Sequence, residues 1–341
     1  MESKAVSISS IQGIEHLSIV VPVYNEESVL EKFHARLSHV VDHLSYQVTI
    51  LYVDDGSSDA TERVLSRIAG GDQRVTCIEL SRNFGHQSAL TAGLDYSTGD
   101  LVIMMDGDGQ HPPELIPQML DLYRSGHDIV ITQRRRDEKI SPTKELTSNV
   151  FYRLLNWIGD TRILPGSADY RLMSRRALNA LRQMREYHRF LRGMIPWMGY
   201  KTAVIEYAAP DRLAGESKYS FRKMAKLAAH AIFSFSLVPL HIGLFVGLLF
   251  FLLAGAEVVY VLSFWVRGEQ DSLAPGWSSL MFMMLITGGI QMIINGFIAV
   301  YVGYIFQEVK RRPIYLIKRV FAREKEVIET DWKDEGREGI R

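Results

Sequence analysis

Between Ser18 and Gln133 the sequence alternates five short β-rich runs with helical patterns, an order that neither an all-helical nor an all-β fold accommodates. The runs are "SIVVPV", "QVTILYV", "RVTCIEL", "DLVIMMD" and "DIVITQ", and the helical patterns between them occupy 27–43, 59–69, 86–97 and 113–124. This predicts an α/β class: a mainly parallel sheet with helices on both faces. Ligands of such sheets bind at the carboxyl ends of the strands. Polar loops gather there: "PVYNEE", "VDDGSSD", "LSRNFGHQ" and "MDGDGQ" follow the first four runs. Taken singly, each reads equally well as a cap or turn, and Asn83 and His86 read better as helix caps than as catalytic groups. No glycine-rich phosphate loop of either standard type is present. Four polar loop ends on one sheet edge nonetheless favour a site over four unrelated caps.

The sharpest of these loops is "MMDGDGQHPPE". Asp106 and Asp108 follow the apolar run "LVIMM", where an uncompensated carboxylate is costly, so a cation or strong donors belong beside them. Standing one strand period apart, the two acids are expected to point the same way. That suits Mg²⁺ or Mn²⁺, which take one or two carboxylates and leave positions for phosphate oxygens and water, with Gln110 as a further oxygen ligand. A calcium EF-hand loop fails, because its sixth and twelfth positions would be His111 and Pro117.

Two later runs, Ile232 to Val266 and Trp277 to Phe306, are almost wholly apolar and exceed the ~20 residues a membrane-spanning helix needs. Joined by "RGEQDSLAPG", they predict a two-helix transmembrane hairpin over about 238–266 and 277–306. Arg212, Lys218, Arg222, Lys223 and Lys226 precede it and Lys310, Arg311, Arg312, Lys318 and Arg319 follow it, against Arg267 alone in the turn. The positive-inside rule then puts the N-terminal domain and the C-terminus in the cytoplasm, in a multi-pass protein of the cell (inner) membrane. As one helix the first run would be ~52 Å long against a ~30 Å hydrocarbon core, so Pro239 is expected to break it. Before that proline, Phe221, Ala225, Ala228, Ile232 and Phe235 recur at helical spacing and predict an interfacial helix. The stripe Leu146, Val150, Phe151, Leu154, Leu155 and Ile158 reads as a second such helix or as ordinary core. The expected divisions are a tail (1–16), a sheet domain (17–215), a juxtamembrane helix (216–237), the hairpin (238–306) and a basic tail (307–341). No apolar core precedes residue 17, so no signal peptide is expected. Lys plus Arg and Asp plus Glu both total 39, which gives no global argument for a nucleic-acid partner. The single cysteine, Cys77, excludes an internal disulfide and reads as a buried thiol.

The motifs "PVYNEE", "VDDGSSD", "NFGHQSAL", "DGDGQHPPE", "SADYRLMSRRAL", "RFLRGMIPWMGY" and "RLAGESKYS", in that order and followed by two spans and "KRRPIY", resemble the polyprenyl-phosphate glycosyltransferases. These are family 2 glycosyltransferases of the GT-A (Rossmann-like) fold, among them dolichol-phosphate mannose synthases and undecaprenyl-phosphate glucosyltransferases. The resemblance covers roughly residues 17 to 317. It implies that Pro22, Tyr24, Glu26, Val53 and Asp55 hold the nucleoside, and that Asp106, Gly107, Asp108 and Gln110 hold metal and diphosphate. It also implies that Arg134, Lys144 and Ser148 meet the acceptor phosphate, and that Arg212 and Lys218 close over the site. Two departures stand out. The metal motif commonly has Ala and Leu where this chain has Gly107 and Gly109, which predicts a looser loop. Ala209 replaces an arginine otherwise found three residues before Arg212. The Gln-x-x-Arg-Trp sequence of processive synthases is absent, so one sugar per acceptor is expected.

The implied activity is that of a metal-dependent hexosyltransferase, inverting at the anomeric carbon. A polyprenyl phosphate (undecaprenyl or dolichyl) attacks a UDP- or GDP-linked sugar at the cytoplasmic membrane face. A phosphate monoester, with its second pKa ~6, needs little general-base help. Asp169 reads either as a catalytic base or sugar-orienting group, or as the ion-pair partner of Arg171 or Arg175. The rival readings are transfer to diacylglycerol or ceramide, whose hydroxyl would require a base, and a non-catalytic membrane-tethered sugar-nucleotide sensor. A two-span anchor also hints at a homo-oligomer.

Overall fold

A computed structural model describes residues 15–135, 166–187, 189–208, 238–268, 276–322 and 325–327. The predicted site residues Lys144, Ser148, Arg212 and Lys218 lie outside these, as do both proposed interfacial helices and most of the turn between the apolar runs. The described residues form two compact units, one holding every strand and one holding two long helices.

The five predicted strands are present as β1 (His16–Val23), β2 (Gln47–Asp54), β3 (Val75–Leu80), β4 (Leu101–Met104) and β5 (Ile129–Arg134). Between them run α1 (Leu30–Val41), α2 (Thr61–Gly71), α3 (His86–Tyr96) and α4 (Ile116–Arg124). Then come β6 (Ser167–Ser174), α5 (Arg175–Gln183), α6 (Leu191–Trp197), β7 (Thr202–Tyr207), β8 (Ile317–Ala322) and β9 (Lys325–Val327). The sheet order is β7-β5-β6-β4-β1-β2-β3-β8-β9.

Its centre, β4-β1-β2-β3, is parallel, as the alternation predicts. Outside the centre the sheet is mixed: β5 and β7 pair in parallel, but two strands depart from the mainly parallel expectation. β6 inserts antiparallel between β4 and β5, and β8 adds antiparallel to β3. Neither strand follows from local periodicity, because each is placed by pairing with strands far away in sequence. Residues 317–322, expected in a basic tail, are therefore a strand of the sheet.

Helices cover both faces. Leu30, Phe33, Leu37 and Val41 line one side of α1 and share a core with Leu17, Ile19 and Val21 of β1 and Met119 of α4. On the opposite face α3 approaches so closely that a Cβ at Gly93 would lie 2.2 Å from Val20 Cγ1, a fit only glycine allows. The chain turns from β1 to β2 on one side and to β4 on the other. The carboxyl ends of β1, β2 and β4 thus surround a topological switch point, where α/β sheets hold ligands.

In the second unit α7 (Val238–Arg267) and α8 (Trp277–Val309) touch at Gly243 and Ile294. Pro239 is the second described residue of α7, and the residues before Val238, on which the expected break turns, lie outside the described residues. Among the described residues one stretch, Ser279–Val309, is long and apolar enough to cross a membrane by the combined test of length and hydropathy.

Candidate active site

The ends of the strands are tied together before any ligand is considered. Pro22 and Val53 are direct partners in the β1–β2 register, and Asp55 donates its backbone N–H to Val23 at 3.0 Å. Asn25, at φ 54°, accepts from the Ser58 N–H, and Thr61 Oγ1 accepts from the Glu26 N–H. Tyr24 stands 40% exposed at the rim. Asp55 is buried, and its two oxygens accept from the Phe84 and Gly85 N–H groups at 2.7 and 2.9 Å. Burial pushes its carboxyl up, partly offset by those two bonds. Asp55 thereby fixes the residue that precedes His86, the first of α3.

β4 ends at Met104, so Asp106 and Asp108 are carried by a turn. The strand-period argument for their shared direction is corrected accordingly. Gly109 sits at φ +81°, a conformation that favours glycine, and the turn is closed by three side-chain bonds. Asp106 N–H donates to His111 Nδ1 at 2.8 Å, Gln110 N–H donates to Asp108 Oδ1 at 3.0 Å, and Arg134 Nη2 donates to Gln110 Oε1. Arg134 Nε also reaches the Tyr207 hydroxyl, 3.4 Å away on β7. Gly107 is buried within the turn.

His86 is no cap. Its Nε2 stands 3.4 Å from Asp106 Oδ1 and 3.5 Å from Asp169 Oδ2, and the side chain keeps 44% exposure. Partial loss of solvent would lower this half-exposed imidazole, but Asp106 and Asp169 outweigh it and raise it to about 9. Asp169, on β6, is 2% exposed and forms a two-pronged pair with Arg192 of α6, at 2.9 and 2.8 Å. The sequence suggested Arg171 or Arg175 as its partner. Arg171 is instead buried against the carbonyls of Ala168 and Leu191, and Arg175 bonds the carbonyls of Ser97 and Gly99. Burial opposes ionisation of Asp169, yet Arg192 and His86 hold it well below the usual carboxylate range.

One continuous chain of contacts thus runs Arg192, Asp169, His86, Asp106, His111, drawn from α6, β6, α3 and the turn after β4. Pro22, Tyr24, Glu26, Val53 and Asp55 belong to the neighbouring strand ends. Sequence reasoning missed His86, His111 and Arg192 as members. His111 was signalled only by adjacency to the acidic motif, and Arg192 only by a motif with no role attached.

Asp106 Oδ1 is buried without a hydrogen-bond partner, its near neighbour being the His86 Nε2 at 3.4 Å, and so keeps lone pairs that a bound cation can take. Among the described residues no group of three or more His, Cys, Asp or Glu converges on one ion. Two carboxylates and an amide oxygen fit a hard divalent cation that takes its remaining ligands from a phosphate and water.

The profile described as "Glycosyl transferase family 2" matches residues 18–182. An uncharacterized glycosyltransferase of Bacillus subtilis is 38% identical over 305 residues, 89% of this chain and 94% of its own length. One from Synechocystis sp. is 38% identical over 90% of this chain and 96% of its own. A prophage bactoprenol glucosyl transferase homolog of Escherichia coli is 37% identical over 89% of this chain and 99% of its own. With such identity sustained nearly end to end and an α/β sheet of the GT-A kind around the site, the chain belongs to glycosyl transferase family 2.

Proposed function

We propose that this protein moves one hexose, glucose foremost, from a nucleotide sugar to a polyprenyl phosphate at a membrane surface, with inversion at the anomeric carbon. The observation that carries the reading is the reach of the similarity. Relatives named bactoprenol glucosyl transferases match along 97–99% of their length, through the long apolar helices that lie beyond the family profile.

The residues supply the chemistry. Pro22, Tyr24, Glu26, Val53 and Asp55 line the strand ends where the nucleoside would rest. Asp106 and Asp108, with Gln110 alongside, would hold Mg²⁺ or Mn²⁺, which neutralises a diphosphate leaving group when bound. Arg134, tied to Gln110, would meet a phosphate, with Lys144 and Ser148 near the acceptor and Arg212 and Lys218 over the donor. The attacking phosphate is already largely dianionic near neutral pH, so Asp169, held ionised by Arg192, would orient the sugar or the acceptor and need take up no proton.

The return of the chain to the sheet supports the membrane part of the reading. Strand β8 follows α8 yet pairs with β3, so residues before and after the helices share one side of any bilayer. A segment leaving and rejoining the same domain crosses an even number of times. A two-span anchor with both ends cytoplasmic satisfies this, and keeps a lipid tail in the bilayer while its phosphate reaches the site.

The test is transfer of radiolabelled sugar from a panel of UDP- and GDP-sugars to undecaprenyl phosphate in detergent, beside diacylglycerol and ceramide. Lipid-soluble label with the phosphate acceptor alone is expected. Label on a lipid alcohol instead, or donor binding without transfer, overturns the reading. In sealed vesicles, donor added outside should react only in inside-out preparations.

A further inference from the structure

We propose that His111 is a positioning residue for the cation site, holding Asp106 by its backbone and facing its Oδ2 so that Oδ1 stays turned toward a bound cation. The inference rests on the metal-dependent reading above.

The imidazole is 1% exposed and both its nitrogens face the same residue. Nδ1 accepts the Asp106 backbone N–H at 2.8 Å, which requires that the ring proton sit on Nε2. Nε2 in turn lies 3.6 Å from Asp106 Oδ2. One carboxylate oxygen therefore faces a buried N–H, and the other, Oδ1, is turned to the side of His86, whose Nε2 lies 3.4 Å away, and is buried without a hydrogen-bond partner. The ring is itself held. It stacks on Tyr170 at 5.3 Å between centroids and 20° between planes, with Tyr207 edge-on at 6.5 Å. The Tyr170 hydroxyl donates to the Pro112 carbonyl at 3.0 Å, closing the far side of the turn. A carboxylate on a turn after a strand has rotational freedom that weakens a cation site, and outer groups that orient ligands typically matter ~10–100-fold in metal affinity. His111 supplies such a restraint from within the acidic motif.

The experiment is Mn²⁺ binding to the full chain in detergent, read from the electron paramagnetic resonance signal of free Mn²⁺, with and without UDP. It compares wild type with His111→Ala, His111→Asn and His111→Gln. Asn can replace the Nδ1 acceptor and Gln the Nε2 donor. Expected is a loss of Mn²⁺ affinity of ~10–100-fold in the alanine variant, with intermediate losses in the other two. Sugar transfer by the alanine variant should recover at high Mn²⁺. A purely structural role would lower the melting temperature and leave the affinity of the folded fraction unchanged, which overturns the proposal. Should His111→Ala not fold, Asn and Gln variants that fold and bind Mn²⁺ like wild type also overturn it. Wild type that binds no Mn²⁺ under either condition refutes the metal reading itself, a result distinct from equal binding by wild type and variants.

Discussion

Glu79 on β3 and Lys318 on β8, 239 positions apart in sequence, meet at 2.6 Å, while Arg319 holds the other oxygen of the same carboxylate. The carboxylate is 7% exposed and its partners are 57% and 29% exposed. This cluster and the β3–β8 ladder fasten the chain that emerges from the long helices onto the sheet. Replacing both Lys318 and Arg319 by alanine leaves a buried anion unpaired. The full cost of breaking a buried pair is discounted here for the partners' exposure, giving about 1–3 kcal/mol. Thermal melts should show a fall of several degrees, and adding Glu79→Gln should restore part of it.

Asp108→Ala, assayed with saturating Mn²⁺, is expected to abolish sugar transfer while far-ultraviolet circular dichroism stays that of wild type. Asp108 lies in the turn and is not a core residue, so the fold should tolerate the change. Unimpaired transfer would falsify the assignment of this carboxylate to the cation site.

Asp169→Asn removes the anion shared by Arg192 and His86. Turnover should drop at least about tenfold, in line with loss of a positioned charged group. Arg192→Lys keeps the charge but not the two-pronged geometry, and should fall between wild type and the asparagine variant. An Asp169→Asn enzyme with full kcat would take Asp169 off the catalytic list.

Asp128 offers a pH test away from the site. The Arg176 guanidinium holds its carboxyl below the usual range, and Ser174 Oγ donates to it at 3.0 Å. The folded value lies below the unfolded one of about 3.9, so this group's contribution is complete above that pH and is lost as pH falls through the folded value. Asp128→Asn should therefore be less stable than wild type near pH 7, and melts repeated toward pH 3 should show the gap closing.

The sequence by itself determined the five alternating strands, the amphipathic helices, the acidic motif and the two apolar runs. Each of these is encoded within a few neighbouring residues, by period or by adjacency. It did not determine the antiparallel insertion of β6, which brings Asp169 to the site, or the choice of Arg192 over Arg171 and Arg175 as its partner. Nor did it determine that Lys318 and Arg319, legible only as basic flank, would neutralise a glutamate on β3. Those relationships are set by strand register and by burial, which leave a carboxylate few places to find a cation. His86 and His111 show the difference most directly. As letters they look like a helix cap and a bystander, and only the packing of α3, β6 and the turn after β4 brings both rings to Asp106.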